Sequence, residues 1–142
     1  MSEENTSREI RSEVTSEGQL KLSIESVEMP TPKDHEVLLK VEASPINPSD
    51  LGLLISFAAD LSSISTEGSG DDKSTTMKIL PALHKTMTAR FDKSMKVGNE
   101  GGGVVVDSGE AGKELIGKTV GVAGGAMYSQ YLSLIHISEP TR

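Results

Sequence analysis

Two short clusters of polar side chains carry whatever chemistry this chain can do. The first lies in Ala43-Ser-Pro-Ile-Asn-Pro-Ser-Asp-Leu-Gly52, where an amide (Asn47), a hydroxyl (Ser49) and a carboxylate (Asp50) fall within one turn. The second is Asn99-Glu100, directly after Gly98. An amide, a hydroxyl and carboxylates are suited to positioning and proton relay. The chain has no cysteine, which removes disulfides, thiolate nucleophiles and four-cysteine zinc sites together. His84 stands alone beside an apolar stripe, which is the setting of a surface or half-buried histidine and not of a ligand.

The elements that must hold these clusters follow from the pattern around them. Val37, Leu39, Val41 and Ala43 alternate with Lys40 and Glu42, a half-buried strand that Pro45 ends. Asn47 suits a helix N-cap and Pro48 the first helical position, where a missing N–H costs nothing. Asp50 suits the first turn by charge. Leu51, Leu53, Leu54 and Ile55 supply the inner side of a short helix. Gly98 and Gly101-Gly-Gly103 open the strand Val104-Val-Val106, whereas a phosphate-cradling glycine run follows a strand and opens a helix. These glycines are therefore expected to permit close backbone approach or a bulge.

Residues 1–8 are expected to be a loose tail. Ile10 to Val14 and Leu20 to Ile24 alternate as a strand hairpin. The small, polar run Ala59 to Met77 reads as a flexible surface loop. Pro81 opens a helix with Leu83, Met87 and Phe91 on one stripe, expected to pack inward. Thr119 to Val122 and Met127 to Tyr131 make further short strands. The sum is a mainly β domain with short helices, and a partly closed barrel is the natural way to manage its edges.

Composition bounds the function. The 142 residues make about one domain, with 35% hydrophobic and only 3% aromatic residues. Net charge is −7 with no basic cluster, which argues against nucleic acid. No stretch is long enough to cross a bilayer, and Met1 to Arg8 lacks the apolar core of a secretory signal, so a cytoplasmic location is expected.

In order and spacing, Glu36-Val-Leu-Leu-Lys-Val-Glu42, Ile46-Asn-Pro-Ser-Asp50, Gly98-Asn-Glu-Gly-Gly-Gly-Val-Val105, Gly117-Lys-Thr-Val120 and Gly125-Ala-Met-Tyr-Ser-Gln-Tyr131 resemble the medium-chain dehydrogenase/reductase superfamily. The likeness is to its zinc-independent, NADPH:quinone oxidoreductase-like branch and covers about Ile10 to Tyr131. It implies a GroES-like barrel over residues 9–131, the front of a catalytic domain, truncated and without a Rossmann domain. It implies a parent that uses NADPH or NADH to reduce a small quinone, enone or aldehyde, and that dimerises through the missing cofactor domain. The fragment alone is expected to be inactive and marginally folded. Zinc-dependent relatives keep a Cys at the place of Asn47 and a His at that of Asn99, and an Asn amide is a far poorer zinc ligand than either, so no metal is expected. Ser49 matches their proton-relaying hydroxyl, while Asp50 and Glu100 match the carboxylates behind their metal ligands. Asn47, Ser49, Asp50, Asn99 and Glu100 are the implied catalytic set, with Asn47 and Pro48 facing the cofactor. The same turn also fits an enoyl reductase or a zinc-free alcohol dehydrogenase, and a stand-alone GroES-like binding or scaffold module is the non-enzyme alternative.

Residues 132–142, Leu-Ser-Leu-Ile-His-Ile-Ser-Glu-Pro-Thr-Arg, resemble at every position the in-frame translation of a transposase sequencing adapter. They are expected to be an artefact of that origin, with His136 no functional residue and Leu132 to Ile137 an apolar edge lacking a partner.

Overall fold

The computed structural model describes residues 5–135. Nine strands are present among them: β1 (Thr6–Val14), β2 (Gln19–Glu28), β3 (Val37–Ala43), β4 (Ala59–Glu67), β5 (Ser74–Ile79), β6 (Met95–Lys96), β7 (Glu100–Ser108), β8 (Thr119–Ala123) and β9 (Tyr131–Leu134). The one α-helix among the described residues, α1, is a single turn, Leu51–Leu54. The strands lie in a five-stranded sheet ordered β4-β5-β2-β1-β6 and a four-stranded sheet ordered β8-β7-β3-β9. The protein is thus mainly β with short helices, as its alternating runs imply, and no closed barrel forms among the described residues.

The chain divides into two compact units. The first gathers the residues up to Glu9, Ser26–Pro45 and the residues from Gly98 onward; the second is Ile10–Glu25 with Ile46–Val97. In the first, Val37, Leu39, Val105, Val120, Val122, Met127 and Leu132 form the core. All but Met127, which lies in the chain between β8 and β9, are inward members of alternating strands, and burying each such side chain contributes about 1.5–3 kcal/mol. In the second, Val14, Leu20, Ala58, Met77, Ile79 and Met87 form the core, with Leu83 and Phe91 packed against it. The Leu83, Met87 and Phe91 stripe therefore packs inward as expected, although Pro81–Arg90 winds as 3-10 turns and not as an α-helix.

Three expectations are corrected. Residues 59–77 are not a loop but β4, a turn and most of β5, paired antiparallel from Ala59 opposite Ile79 to Glu67 opposite Ser74. Ser and Thr side chains hold this edge by hydrogen bonds in place of apolar contacts: Thr66 Oγ1 meets Thr75 Oγ1 at 3.0 Å, and Lys78 N–H donates to Ser63 Oγ at 2.7 Å. Gly68 and Gly70, at φ +78° and +55°, supply the left-handed turn that Cβ-bearing residues resist. Nor is the stretch up to Arg8 wholly a tail, since Thr6, Ser7 and Arg8 belong to β1. A distant segment holds them: Gln130 accepts from Arg8 N–H through its side chain (3.0 Å) and donates its own N–H to Arg8 O (2.9 Å). Residues 1–4 of that expected tail lie outside the described residues.

The third correction concerns Leu132 to Leu134. They have a partner: β9 runs antiparallel to β3, with Leu132 opposite Leu39, and Leu132 is buried. Alternation of Leu132, Ser133 and Leu134 is enough to satisfy the sheet, whatever the origin of the residues. His136 and the rest of that segment lie outside the described residues.

Glu36 ties the two strands. Its Oε2 accepts Lys33 N–H at 3.0 Å and the Ser133 hydroxyl at 2.9 Å. The Lys33 amide, then the Ser133 hydroxyl, hold the Glu36 carboxyl below its ordinary value. A carboxylate with a lowered folded-state pKa stabilises the fold above its unfolded pKa, and that stability is lost as pH falls through the folded value. Acid titration of the melting temperature is therefore expected to show a component below the ordinary carboxylate range that disappears in Glu36→Gln. An unchanged acid profile in the variant removes this tie.

Candidate active-site turn

In the second unit, the turn at Asn47 is built by backbone and carboxylate together. Asp50 N–H donates to Asn47 O at 2.9 Å, and Asp50 Oδ2 accepts Asn47 N–H at 2.8 Å. The N-cap of α1 is Asp50, which makes no side-chain bond into the helix, so the expected N-cap Asn47 stands three residues earlier, in the turn that the Asp50 carboxylate closes. Asp50 is 2% exposed, the most buried of the expected site residues. Asn47 is half-buried, and Pro48 and Ser49 are exposed. The buried carboxylate thus fixes the backbone of a turn in which Asn47 is half-buried and Ser49 exposed.

A one-turn helix cannot satisfy its own last carbonyls. Two side chains not foreseen from the sequence do so. Ser12 Oγ donates to Leu53 O at 2.5 Å, and Arg90 Nη1 donates to Gly52 O at 3.2 Å. Arg90 Nη2 also donates to Ser12 Oγ at 3.0 Å. Burial pushes the Arg90 guanidinium down from its ordinary value, but an arginine stays charged, and a cation at a helix C-terminus is favourable. The only hint of this in the sequence is that Arg90 flanks the Leu83–Phe91 stripe.

In the first unit, Gly98 adopts φ +98°, and a Cβ there would lie 2.7 Å from Tyr128. Gly98 O accepts Met127 N–H at 3.2 Å, and Asn99 O accepts Gly124 N–H at 2.8 Å. Ser44 Oγ donates to Met127 O and Tyr128 Oη to Pro45 O, both at 2.9 Å. Met127 and Tyr128 therefore anchor both the chain leaving β3 and the chain entering β7. Asn99 and Glu100 are exposed. Glu100 borders an open groove of about 460 Å³, lined also by Ala43, Pro45, Gly121 and Val122. Asn47, Ser49 and Asp50 are thus assembled in one unit, and Asn99 and Glu100 in the other.

Gly101 to Gly103 do what their place before a strand implies. A Cβ on Gly101 would lie 2.5 Å from Ser44 Oγ, and one on Gly103 1.9 Å from Lys40 O. The register of β3 against β7 shifts between Val41 and Ala43, opposite these glycines. Their strand is paired on both sides, with β3 and with β8, so it offers no cradle of N–H groups to a pyrophosphate. Among the described residues no three or more His, Asp and Glu side chains gather as a metal site, and no helix is long and apolar enough to cross a membrane.

No protein-family model matches the chain, nor does any curated protein. Solved structures do. A Bacillus thuringiensis protein with the provisional designation NADPH:quinone reductase superposes with a TM-score of 0.55 at 22% identity, over 91% of this chain and 31% of that one. A Mesorhizobium loti protein of the same designation gives 0.49 at 19% identity, over 89% and 34%. A mycobacterial protein solved with NADPH gives 0.47 at 15%, over 90% and 30%. The chain spans about a third of the length of these structures. Its fold is the mainly β, GroES-like fold found in the first of them.

Proposed function

We propose that this chain is a catalytic-domain piece of an NAD(P)H-dependent oxidoreductase of the medium-chain dehydrogenase/reductase superfamily, acting on a quinone or enone without zinc. The observation that carries the reading is the turn itself: a buried Asp50 carboxylate holds the backbone of Asn47, with an amide and an exposed hydroxyl at the place where zinc-dependent relatives keep a thiolate and a hydroxyl. The shared fold with the Bacillus thuringiensis protein supports it.

The nicotinamide cofactor supplies hydride when bound. This chain's residues orient and protonate. The Asn47 amide donates to the substrate carbonyl oxygen, and the Ser49 hydroxyl delivers the proton that the reduced oxygen takes up and recovers one from solvent. Asp50 keeps both in place. Asn47 and Pro48 would face the nicotinamide end of the cofactor, and the paired glycines of β7 offer no cradle to a pyrophosphate.

The chain by itself is expected to give no saturable signal on titration with NADPH and no quinone-dependent NADPH oxidation; clear saturation overturns that expectation. The wider reading is tested by sequencing the source DNA through the codon for Tyr131. If residues 132–142 are adapter-derived, the native frame continues instead into a strand, a glycine-rich turn and a helix. A stop codon directly after Arg142 in that DNA overturns both inferences and favours the binding module.

A further inference from the structure

Each sheet ends in two edge strands, and three of these edges are guarded. β4 carries Asp60 and Glu67, and its register breaks between Asp60 and Ser65, so that residues 61–64 stand against Met77 alone. Asp60 Oδ1 holds this bulge by accepting the Ser62 N–H at 3.0 Å and the Ser62 hydroxyl at 2.6 Å. Charges and a bulge keep another strand from adding to an edge. β6 is only two residues long. The start of β9 is taken by β1, since Tyr131 N–H donates to Ser7 Oγ at 3.2 Å and Gln130 N–H to Arg8 O at 2.9 Å.

β8 has none of these guards. It pairs with β7 alone, in unbroken register from Glu100 opposite Ala123 to Val104 opposite Thr119. Val105 N–H donates to Lys118 O at 3.0 Å, which sets the phase of the ladder. Lys118, Val120 and Val122 turn their backbone groups to β7, and Thr119, Gly121 and Ala123 turn theirs to the open side. Thr119 and Ala123 are exposed, and nothing lies within 4 Å of a Cβ at Gly121. The strand itself holds no charge, no proline and no bulge.

Reversed about Gly121, β8 matches itself. Gly121 falls opposite Gly121 of a second copy, Thr119 opposite Ala123, and Val120 opposite Val122. The outward groups then complete about six backbone hydrogen bonds. Val120 and Val122, both buried, share one face and continue the apolar side of the sheet, with the small residues on the other. Charge favours the same edge. Two copies at −7 each repel, and they approach most cheaply where neither strand brings a charge.

We propose that β8 is a homotypic docking edge, where a second copy of this chain adds antiparallel and joins the two four-stranded sheets into one. The inference is independent of the oxidoreductase reading. Two five-residue strands bury well under the roughly 1,200 Å² of a stable complex, so the association is weak, with a Kd of about 10⁻⁴ M.

Sedimentation of the whole chain from about 10 μM to about 1 mM is expected to show monomer passing to dimer. Added salt is expected to tighten the dimer by screening the like charges. Gly121→Pro removes an outward N–H and no bond to β7, so it is expected to keep the parent's melt and raise Kd at least about tenfold. Gly121→Cys tests the register without relying on proline being tolerated. The chain has no cysteine of its own, and the two introduced thiols would face each other with Cα atoms about 5.5 Å apart, within disulfide reach. Mild oxidation is expected to give a covalent dimer there and little from Ile64→Cys on β4, although Ile64 is 53% exposed. A chain that stays monomeric throughout, an association that salt weakens, or equal cross-linking at both positions overturns the proposal.

Discussion

Gly103→Ala is expected to abolish the cooperative fold of the first unit. A Cβ at this position would lie 1.9 Å from the Lys40 carbonyl oxygen and 3.0 Å from the Val41 Cα, both backbone atoms of β3. No rotamer change relieves a clash with backbone. The strands must separate, and Gly103 lies mid-ladder, opposite Val41 on one side and Val120 on the other. Overpacking alone costs about 1–3 kcal/mol, and the lost ladder bonds take the total above about 3 kcal/mol. That is a large fraction of the total stability of a small domain. Denaturant unfolding followed by circular dichroism reads it. A midpoint within experimental error of the parent means that β3 and β7 do not approach as described. Gly121→Ala is the matched control, because nothing lies within 4 Å of a Cβ there.

The second large effect is expected at Asp50. Asp50→Ala removes the acceptor for Asn47 N–H and leaves a hole where a 2%-exposed side chain stood. Losing a charge-assisted hydrogen bond of this kind costs about 1.5–3 kcal/mol. Asp50→Asn keeps an acceptor oxygen of the same reach and is expected to recover about half of the loss. Amide exchange at Asn47 and Leu54 distinguishes a local from a global effect: protection should fall there before it falls at Leu20 and Leu39, both fully buried. In a catalytically complete form, the same variant is expected to lower kcat more than it raises KM, because the amide and hydroxyl lose their fixed direction. Equal protection everywhere, with kcat unchanged, removes Asp50 from the turn's construction.

What the sequence discloses depends on whether a residue's partner is local. Leu20 to Ile24 and Val37 to Ala43 alternate because one face is buried, and both form strands. The Asn-Pro-Ser-Asp turn is also local, with bonds between residues three apart, and the residue types foretell a turn there but put the N-cap at Asn47 where it falls at Asp50. β4 and β5 escape because an edge hairpin wet on much of its surface needs no apolar alternation. Its signal is a ladder of hydroxyls that also describes a loop. Residues Thr6 to Arg8 escape because Gln130, far along the chain, is what orders them. Ser12 and Arg90 escape for the same reason, as their carbonyl partners on α1 are distant in sequence. β7 begins at Glu100, four residues before the apolar run that announces it, because its glycines pair with β8 through backbone alone and carry no side-chain pattern.

The division into two units has a consequence for the order in which the protein is made. All segments of the second unit have been synthesised once Val97 has been added, whereas the first needs Gly98 onward to supply β7, β8 and β9. Until then β3 has no neighbour on either side, since both of its partners come later in the chain. On the ribosome the second unit can therefore consolidate while Val37 to Ala43 waits as an apolar, unpaired strand. At elongation rates of about 5–20 residues per second that wait lasts a few seconds, long enough for a chaperone to find it or for a neighbouring nascent chain to pair with it.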